Sequence, residues 1–144
     1  YLDRSSVSSI MEADTPHADA EISIEQAKIL IASQHHWSLV WLNGKPKALL
    51  ANSDLAVFID ALPEDNQDVA IQLLDIPGQR LDLAAVNLRA TLRHALEVMN
   101  AKQVEALYIH PFNADGKVNV EGIITRSAIE EVYRYNKQHV TSEA

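Results

Sequence analysis

Gly122-Ile-Ile-Thr-Arg-Ser-Ala-Ile129 changes character halfway along. Its first half is an apolar run, the mark of a strand buried on both faces, and it ends in a hydroxyl suited to cap a helix. Beyond the hydroxyl, Ile129, Val132 and Tyr133 recur at helical spacing and line one face of a last helix expected to fray past Tyr135. The stretch therefore reads as a strand-to-helix junction. Ala48-Leu-Leu-Ala-Asn-Ser-Asp-Leu55 has the same layout, with Leu55, Phe58 and Ile59 on the helical side.

Working outward, each junction sits in the same context. Trp37–Leu42 is a strand ending at Asn43-Gly44, a strong two-residue hairpin signal, and Lys47–Ala51 is its return strand. Ala106–His110 leads to a looser turn, Asn113-Ala-Asp-Gly116, and Val118–Ile124 returns. Ahead of each hairpin lies an amphipathic helix. One carries Ile24, Ala27, Leu30 and Ile31 behind a Ser23 cap; the other carries Leu92, Ala95, Leu96 and Met99 behind Thr91. Val7–Met11 and Leu83–Val86 are expected as short strands opening each half, and the polar Leu62–Asp68 as a linker or exposed loop. Strand, helix, strand, strand, helix thus occurs twice. Ile24, Ala27 and Leu39 correspond to Leu92, Ala95 and Leu107, each 68 positions on, whereas Asp54 corresponds to Ala128, 74 positions on. The six additional residues fall in the second hairpin loop, where insertions are tolerated. Consistent spacing marks an internal repeat.

Composition narrows the function classes. The chain has 144 residues, 47% of them hydrophobic, which is ordinary for one globular domain or two small subdomains sharing a core. A net charge of −8 opposes nucleic acid and anionic lipid headgroups. There are no cysteines, so neither a disulfide framework nor a thiolate metal site is available, as in a cytosolic setting. No apolar run approaches the ~20 residues needed to cross a bilayer, and no signal peptide is visible. A start at Tyr1 reads as a piece of a longer protein.

The repeated unit resembles a CBS domain, and the two copies together resemble a CBS pair, or Bateman module. Val7-Ser-Ser-Ile-Met11, Ala90–Met99 and Gly122–Arg126 carry the resemblance, which spans roughly residues 5–136. Ile76-Pro-Gly-Gln-Arg-Leu-Asp82 is similar to the segment joining the two CBS units of bacterial ClC-type chloride channels and transporters, where the pair forms the C-terminal cytoplasmic domain. The resemblance implies an α/β (α+β) fold of two βαββα units about a pseudo-twofold axis. It places the first unit at 1–61, a linker at 62–80, the second unit at 81–138 and a polar tail at 139–144. It also implies a regulatory domain on the cytoplasmic side of the cell inner membrane, part of an integral membrane protein but not itself inserted. Its partners would be the membrane-spanning channel domain of the same chain and a second copy, since CBS pairs commonly form homodimers. The helices at Leu55–Ile59 and Ile129–Tyr133 are candidate dimer surfaces. CBS pairs also occur in magnesium and cobalt transport proteins, in a nucleotide-synthesis dehydrogenase and in kinases.

In CBS pairs that bind adenosine nucleotides, the junction reads Gly, two apolar residues, Thr or Ser, two variable residues, Asp. The carboxylate accepts hydrogen bonds from the ribose hydroxyls, while the hydroxyl and the helix N-terminus face the phosphates. Here the second junction keeps Gly122 and Thr125 but has Ala128 at the Asp position. The first keeps Asp54 but has Ala51 and Ala48 at the Thr and Gly positions. Losing the carboxylate removes a contact worth about 1.5–3 kcal/mol, one to two decades of affinity. Each candidate carries two readings. Asp54 is a ribose ligand or an acid stabilising its own helix. Thr125 is a phosphate ligand or a plain N-cap. Arg126 is a phosphate contact or an exposed first-turn arginine. Asn52 or Ser53 stands as a late cap for the first helix. The ligand implied is AMP, ADP or ATP acting as a regulator, with no cofactor required.

Other residue groups offer less. The pair His35-His36 lacks a second ligand pair at metal spacing and reads as a solvated loop, so no metal is expected. Trp37 and Trp41, four apart on a strand, share a face and either stack on an adenine or fill a core or interface. Glu64, Asp65 and Asp68 read most simply as a solvated loop, the other reading being a carboxylate cluster for a divalent cation. No nucleophile–base pair and no glycine-rich phosphate loop stand out, so an enzyme is not expected. Besides ligand sensing, a structural dimerisation or trafficking module without ligand, and a regulatory pair on a metal-ion transporter or an enzyme, are carried forward.

Overall fold

The computed structural model describes residues 5–63, 70–78, 80–111 and 119–143, with the side chains of the last helix as far as Arg134. The chain forms two compact units. One is contiguous, Asp14–Asp82; the other is composite, Tyr1–Ala13 with Leu83–Ala144.

In the contiguous unit, β1 (His17–Asp19) pairs in parallel with β3 (Trp37–Leu42), and β3 returns antiparallel as β4 (Lys45–Ala51). The turn between them has positive φ at both Asn43 (54°) and Gly44 (76°), which asparagine and glycine tolerate best and which matches the twist of a two-residue hairpin. Helix α1 (Ile24–Ala32) opens with a reciprocal capping box between Ser23 and Gln26, and packs with α2 (Asn52–Asp60). Ala48, Leu49, Leu50 and Ala51 are all buried, so β4 is apolar on both faces. A short antiparallel pair, β2 (Glu21–Ile22) with β5 (Ile71–Gln72), closes the unit. Leu73 and Ile76, in and just after the 3₁₀ turn Leu73–Asp75, are buried with Leu30, Leu50 and Leu55. The residues expected as a linker thus supply core.

The composite unit repeats the order. In β6 (Arg80–Asn87), Arg80–Asp82 pair antiparallel with β4, and Leu83–Asn87 pair in parallel with β7 (Ala106–His110). Helix α3 (Leu92–Lys102) starts at its Thr91 cap, β8 (Gly122–Thr125) returns beside β7, and α4 (Arg126–Glu143) follows directly. The helix runs through the stretch expected as a polar tail. The looser turn at 113–116 and the acidic loop at 64–68 lie outside the described residues.

One expectation fails. Val7–Met11 is not a strand: Val7–Ser9 is a 3₁₀ turn. The serines decide it, because the Ser6 hydroxyl accepts from the Ser8 amide and the Ser9 hydroxyl donates to the Ser6 carbonyl, offering the backbone a local alternative to a ladder. The first strand of that half is instead β1. The turn is held in the composite unit: the Val7 amide donates to the Ala90 carbonyl, the Leu92 amide donates to Ser5, and Glu12 exchanges both backbone bonds with Ile123. Val7 is fully buried with Leu92, Met99 and Ile124. Each half of the sequence therefore lends its opening residues to the core that the other half builds.

Truncating Val7 to alanine should lower stability by about 2 kcal/mol. Hydrogen exchange should show faster opening at Ile123 and Ala95 before any change at Leu39. Equal protection loss at all three would show that the turn is not specific to the composite unit.

Candidate functional site

The first junction ends a strand buried from Ala48 to Ala51, and α2 begins at Asn52, two residues earlier than a Ser53 cap would allow. Ala51 at the cap position has no hydrogen-bonding side chain to offer. Asn52 does not cap either. Its amide group turns to the neighbouring strand, where Oδ1 accepts from the Ser38 hydroxyl and Nδ2 donates to the His35 carbonyl at 2.9 Å. Its backbone N–H donates to the His36 carbonyl. Asn52 is only 5% exposed and Ser38 is fully buried, so this polar cluster is internally satisfied. Asp54 lies in the first turn of α2, where a carboxylate complements the helix dipole. It is half-buried because the chain comes back over it at Gly78: a Cβ built there would stand 2.3 Å from the Asp54 carboxyl carbon. Gly78 also has φ of 136°, so that position favours glycine twice over.

The second junction solves the same problem with other residues. A Cβ at Gly122 would stand 2.8 Å from the Glu12 carbonyl oxygen and 3.0 Å from Met11 Sδ, so the opening segment lies directly on this strand. Thr125 accepts from the Ala128 amide at 3.2 Å and caps α4. Arg126 is held by its neighbours: Nε donates to Glu105 Oε2 at 2.8 Å and Nη2 donates to Asn100 Oδ1 at 2.9 Å. Its backbone N–H donates to the Glu105 carbonyl. Arg126 and Asn52 therefore occupy the same position, the first residue of the helix, and perform the same tethering of that helix to the loop before the middle strand. Thr125 and Arg126 belong together in the composite unit, and Asp54 belongs to the contiguous one.

Sequence spacing did not disclose the partners Gly78, Met11 and Glu12. A signal existed: the 68-residue offset carries Met11 and Glu12 onto Gln79 and Arg80, next to Gly78. The same part of each half lies over a junction.

The tryptophans have local partners. The rings of Trp37 and His36 meet edge to face at 4.5 Å. Trp41 Nε1 donates to His17 Nδ1 at 3.3 Å, which requires that nitrogen to be unprotonated. Burial holds the His17 pKa below its ordinary value. Among the described residues, no group of three or more His, Asp or Glu side chains is placed to hold a metal ion, and no helix is long and apolar enough to cross a membrane.

Two outcomes follow from this geometry. Asn52→Ala leaves the Ser38 hydroxyl and the His35 carbonyl without partners in a buried place and should cost about 2–3 kcal/mol in urea unfolding. Arg126→Ala, whose partner Glu105 stays largely in water, should cost under about 1 kcal/mol; equal losses would refute the distinction. For His17, the folded pKa is below the unfolded one, so the unfolded state binds more protons in between. Its contribution to stability is complete above about pH 6.5 and declines as pH falls. Unfolding followed by tryptophan fluorescence at pH 7.5 and pH 5.5 should show this loss, and His17→Gln should reduce it.

No protein-family model matches the chain, and no curated protein matches it. Many solved structures do. A hemolysin-like protein containing a CBS domain, from Oenococcus oeni PSU, is 17% identical, with 90% of each chain covered and a TM-score of 0.62. The CBS domain of a bacterial CNNM/CorC-family Mg2+ transporter, solved in complex with ATP, is 14% identical; 90% of this chain and 87% of that chain are covered, with a TM-score of 0.61. A CBS domain pair solved with 5′-methylthioadenosine and S-adenosyl-L-methionine is 19% identical, with 92% and 98% covered and a TM-score of 0.57. At these identities the likeness is one of architecture: the chain has the α/β fold of CBS-domain pairs.

Proposed function

We propose that this chain is the regulatory CBS pair of a membrane transport protein and that its ligand is an adenine nucleotide. The observation that carries the reading is the placement of Asp54 and Thr125 on two strand-to-helix junctions of a CBS-pair fold, each junction overlain by a lead-in segment. ATP on one structural neighbour, and methylthioadenosine with S-adenosylmethionine on another, support the ligand class. In the first junction, a ribose that takes the Asp54 carboxylate has to move Gly78 off it. Gly78 leads within two residues into β6, so the displacement passes along the chain into the strand that serves both units. A ligand that prefers the displaced arrangement shifts the population of the attached protein. In the second junction, the Thr125 hydroxyl and the N-terminal end of α4 are the phosphate-side groups, although the Arg126 and Ala128 amides already donate to Glu105 and Thr125, and the Arg126 side chain joins them only by leaving Glu105 and Asn100.

Two readings of the attached protein have specific support. The likeness of Ile76–Asp82 to the ClC connecting segment favours a chloride channel or transporter, with this pair on its cytoplasmic side. The CNNM/CorC neighbour favours a divalent-metal transporter instead. Flux of chloride against flux of Mg2+ through the full protein in vesicles distinguishes them. The incomplete motifs favour a third reading, a structural module without ligand.

Calorimetric and melting titrations of the 144-residue chain with AMP, ADP, ATP and S-adenosylmethionine test the ligand. At a hundredfold excess over Kd, a single site should stabilise the fold by about 2.7 kcal/mol. Asp54→Ala should weaken binding about 10- to 100-fold. No heat and no melting shift at millimolar concentrations of any of the four would sink the sensing role and leave the structural module.

A further inference from the structure

The chain has no cysteine and two methionines, so its sulfur chemistry is that of thioethers. The two methionines are placed differently. Met99, on α3, is fully buried in the core of the composite unit. Met11, just past the 3₁₀ turn Val7–Ser9, is half-buried and packs against the margin of that core. It rests on β8: a Cβ built at Gly122 would stand 3.0 Å from Met11 Sδ and 3.1 Å from Met11 Cγ, so the thioether fills the volume that glycine leaves open. The next residue fastens the same segment. The Glu12 amide donates to the Ile123 carbonyl at 2.9 Å, and the Ile123 amide donates to the Glu12 carbonyl at 3.0 Å. Strand β8 is the last of its sheet, so this bridge, with the methionine beside it, covers an edge.

We propose that Met11 is an oxidation site and that its sulfoxide releases the segment 11–13 from β8. The oxidant is a hydroperoxide. The sulfur attacks one peroxide oxygen, and an S–O bond forms as the O–O bond breaks. The other oxygen takes the proton and leaves as water or an alcohol; sulfur gives up two electrons and the peroxide takes them. The product carries a polar oxygen where the thioether had none. That oxygen is an acceptor, and its surroundings already hold one: the Glu12 carbonyl oxygen would stand 2.8 Å from the same Cβ position. The amides of Met11, Glu12 and Ile123 are engaged, with Val7, Ile123 and Glu12 respectively. The sulfoxide oxygen is therefore satisfied by turning to water, which draws Met11 off Gly122 and breaks the bridge. The Val7 turn has fastenings of its own, to Ala90 and through Ser5 to Leu92, so the opening stays local. It bares the Ile123 backbone groups on an edge strand. The 68-residue offset carries Met11 onto Gln79, an amide with no sulfur to oxidise, so the switch belongs to one half of the repeat. It goes beyond the sensing role and does not require a nucleotide.

Hydrogen peroxide applied to the 144-residue chain tests the proposal. Peptide mass mapping should find an added oxygen on Met11 at least about tenfold sooner than on Met99, because oxidation follows exposure. Hydrogen exchange of the oxidised chain should be faster at the Glu12 and Ile123 amides and unchanged at Val7 and Leu92. Methionine sulfoxide reductases should restore the protection. Met11→Leu keeps the volume and removes the sulfur, so it should show native exchange with or without peroxide. Equal oxidation of the two methionines would overturn the proposal. So would a Met11 sulfoxide with unchanged exchange at Glu12 and Ile123, an equal loss of protection at Val7 and Leu92, or the same peroxide effect in Met11→Leu.

Discussion

A strand that is buried on both faces and passes straight into a helix leaves no turn in which water can solvate the backbone. The first residue of the helix must therefore be fastened to something already inside. Asn52 and Arg126 are that residue in the two halves. Asn52 fastens α2 from within a dry cluster of Ser38 and the His35 carbonyl, and Arg126 fastens α4 from the surface through Glu105 and Asn100. The difference explains why equivalent junctions carry unlike polar residues. A buried anchor must be neutral and satisfied on both its donor and acceptor sides, which an amide can be. A surface anchor can be a charge, because its partners remain hydrated.

Much of this was legible in the sequence. Helices α1 and α3 announced themselves through their 3.6-residue periodicity and through Ser23 and Thr91. The Asn43-Gly44 hairpin followed from turn chemistry, and the repeat followed from spacing. The illegible parts have two physical causes. The serines around Val7 replace a ladder by local hydroxyl bonds, which strand propensity does not weigh. The exchange of opening segments between the two cores depends on pairings that are about 80 to 110 residues apart, such as Val7 with Ala90 and Glu12 with Ile123. Periodicity reports which residues are buried but not in whose company.

The candidate site was visible as residue types and invisible as neighbours. Thr125 and Asp54 could be picked out from their positions in a motif, yet the groups that define what each can do came only with coordinates. Gly78 over Asp54 and Met11 over Gly122 lay a chain segment against each helix start, so under the proposed sensing role a ligand would compete with that segment for the same volume. Competition of that kind converts binding into displacement, and displacement is what a regulatory domain transmits.

The composite unit joins residues 5–13 to residues 83 onward, with the contiguous unit inserted between them. On the ribosome the opening segment emerges first and finds its hydrogen-bonding partners last. Ala90 must follow the whole of Asp14–Asp82, and Ile123 must follow another strand and helix. The contiguous unit has its own core complete once residue 82 has left the exit tunnel, so folding proceeds from the middle outward. Until the C-terminal half is made, the apolar Val7, Ile10 and Met11 are without the surface that buries them. Any domain fused ahead of this chain is thus tethered, during its own folding, to a segment that becomes fixed only after Ile123 has been made.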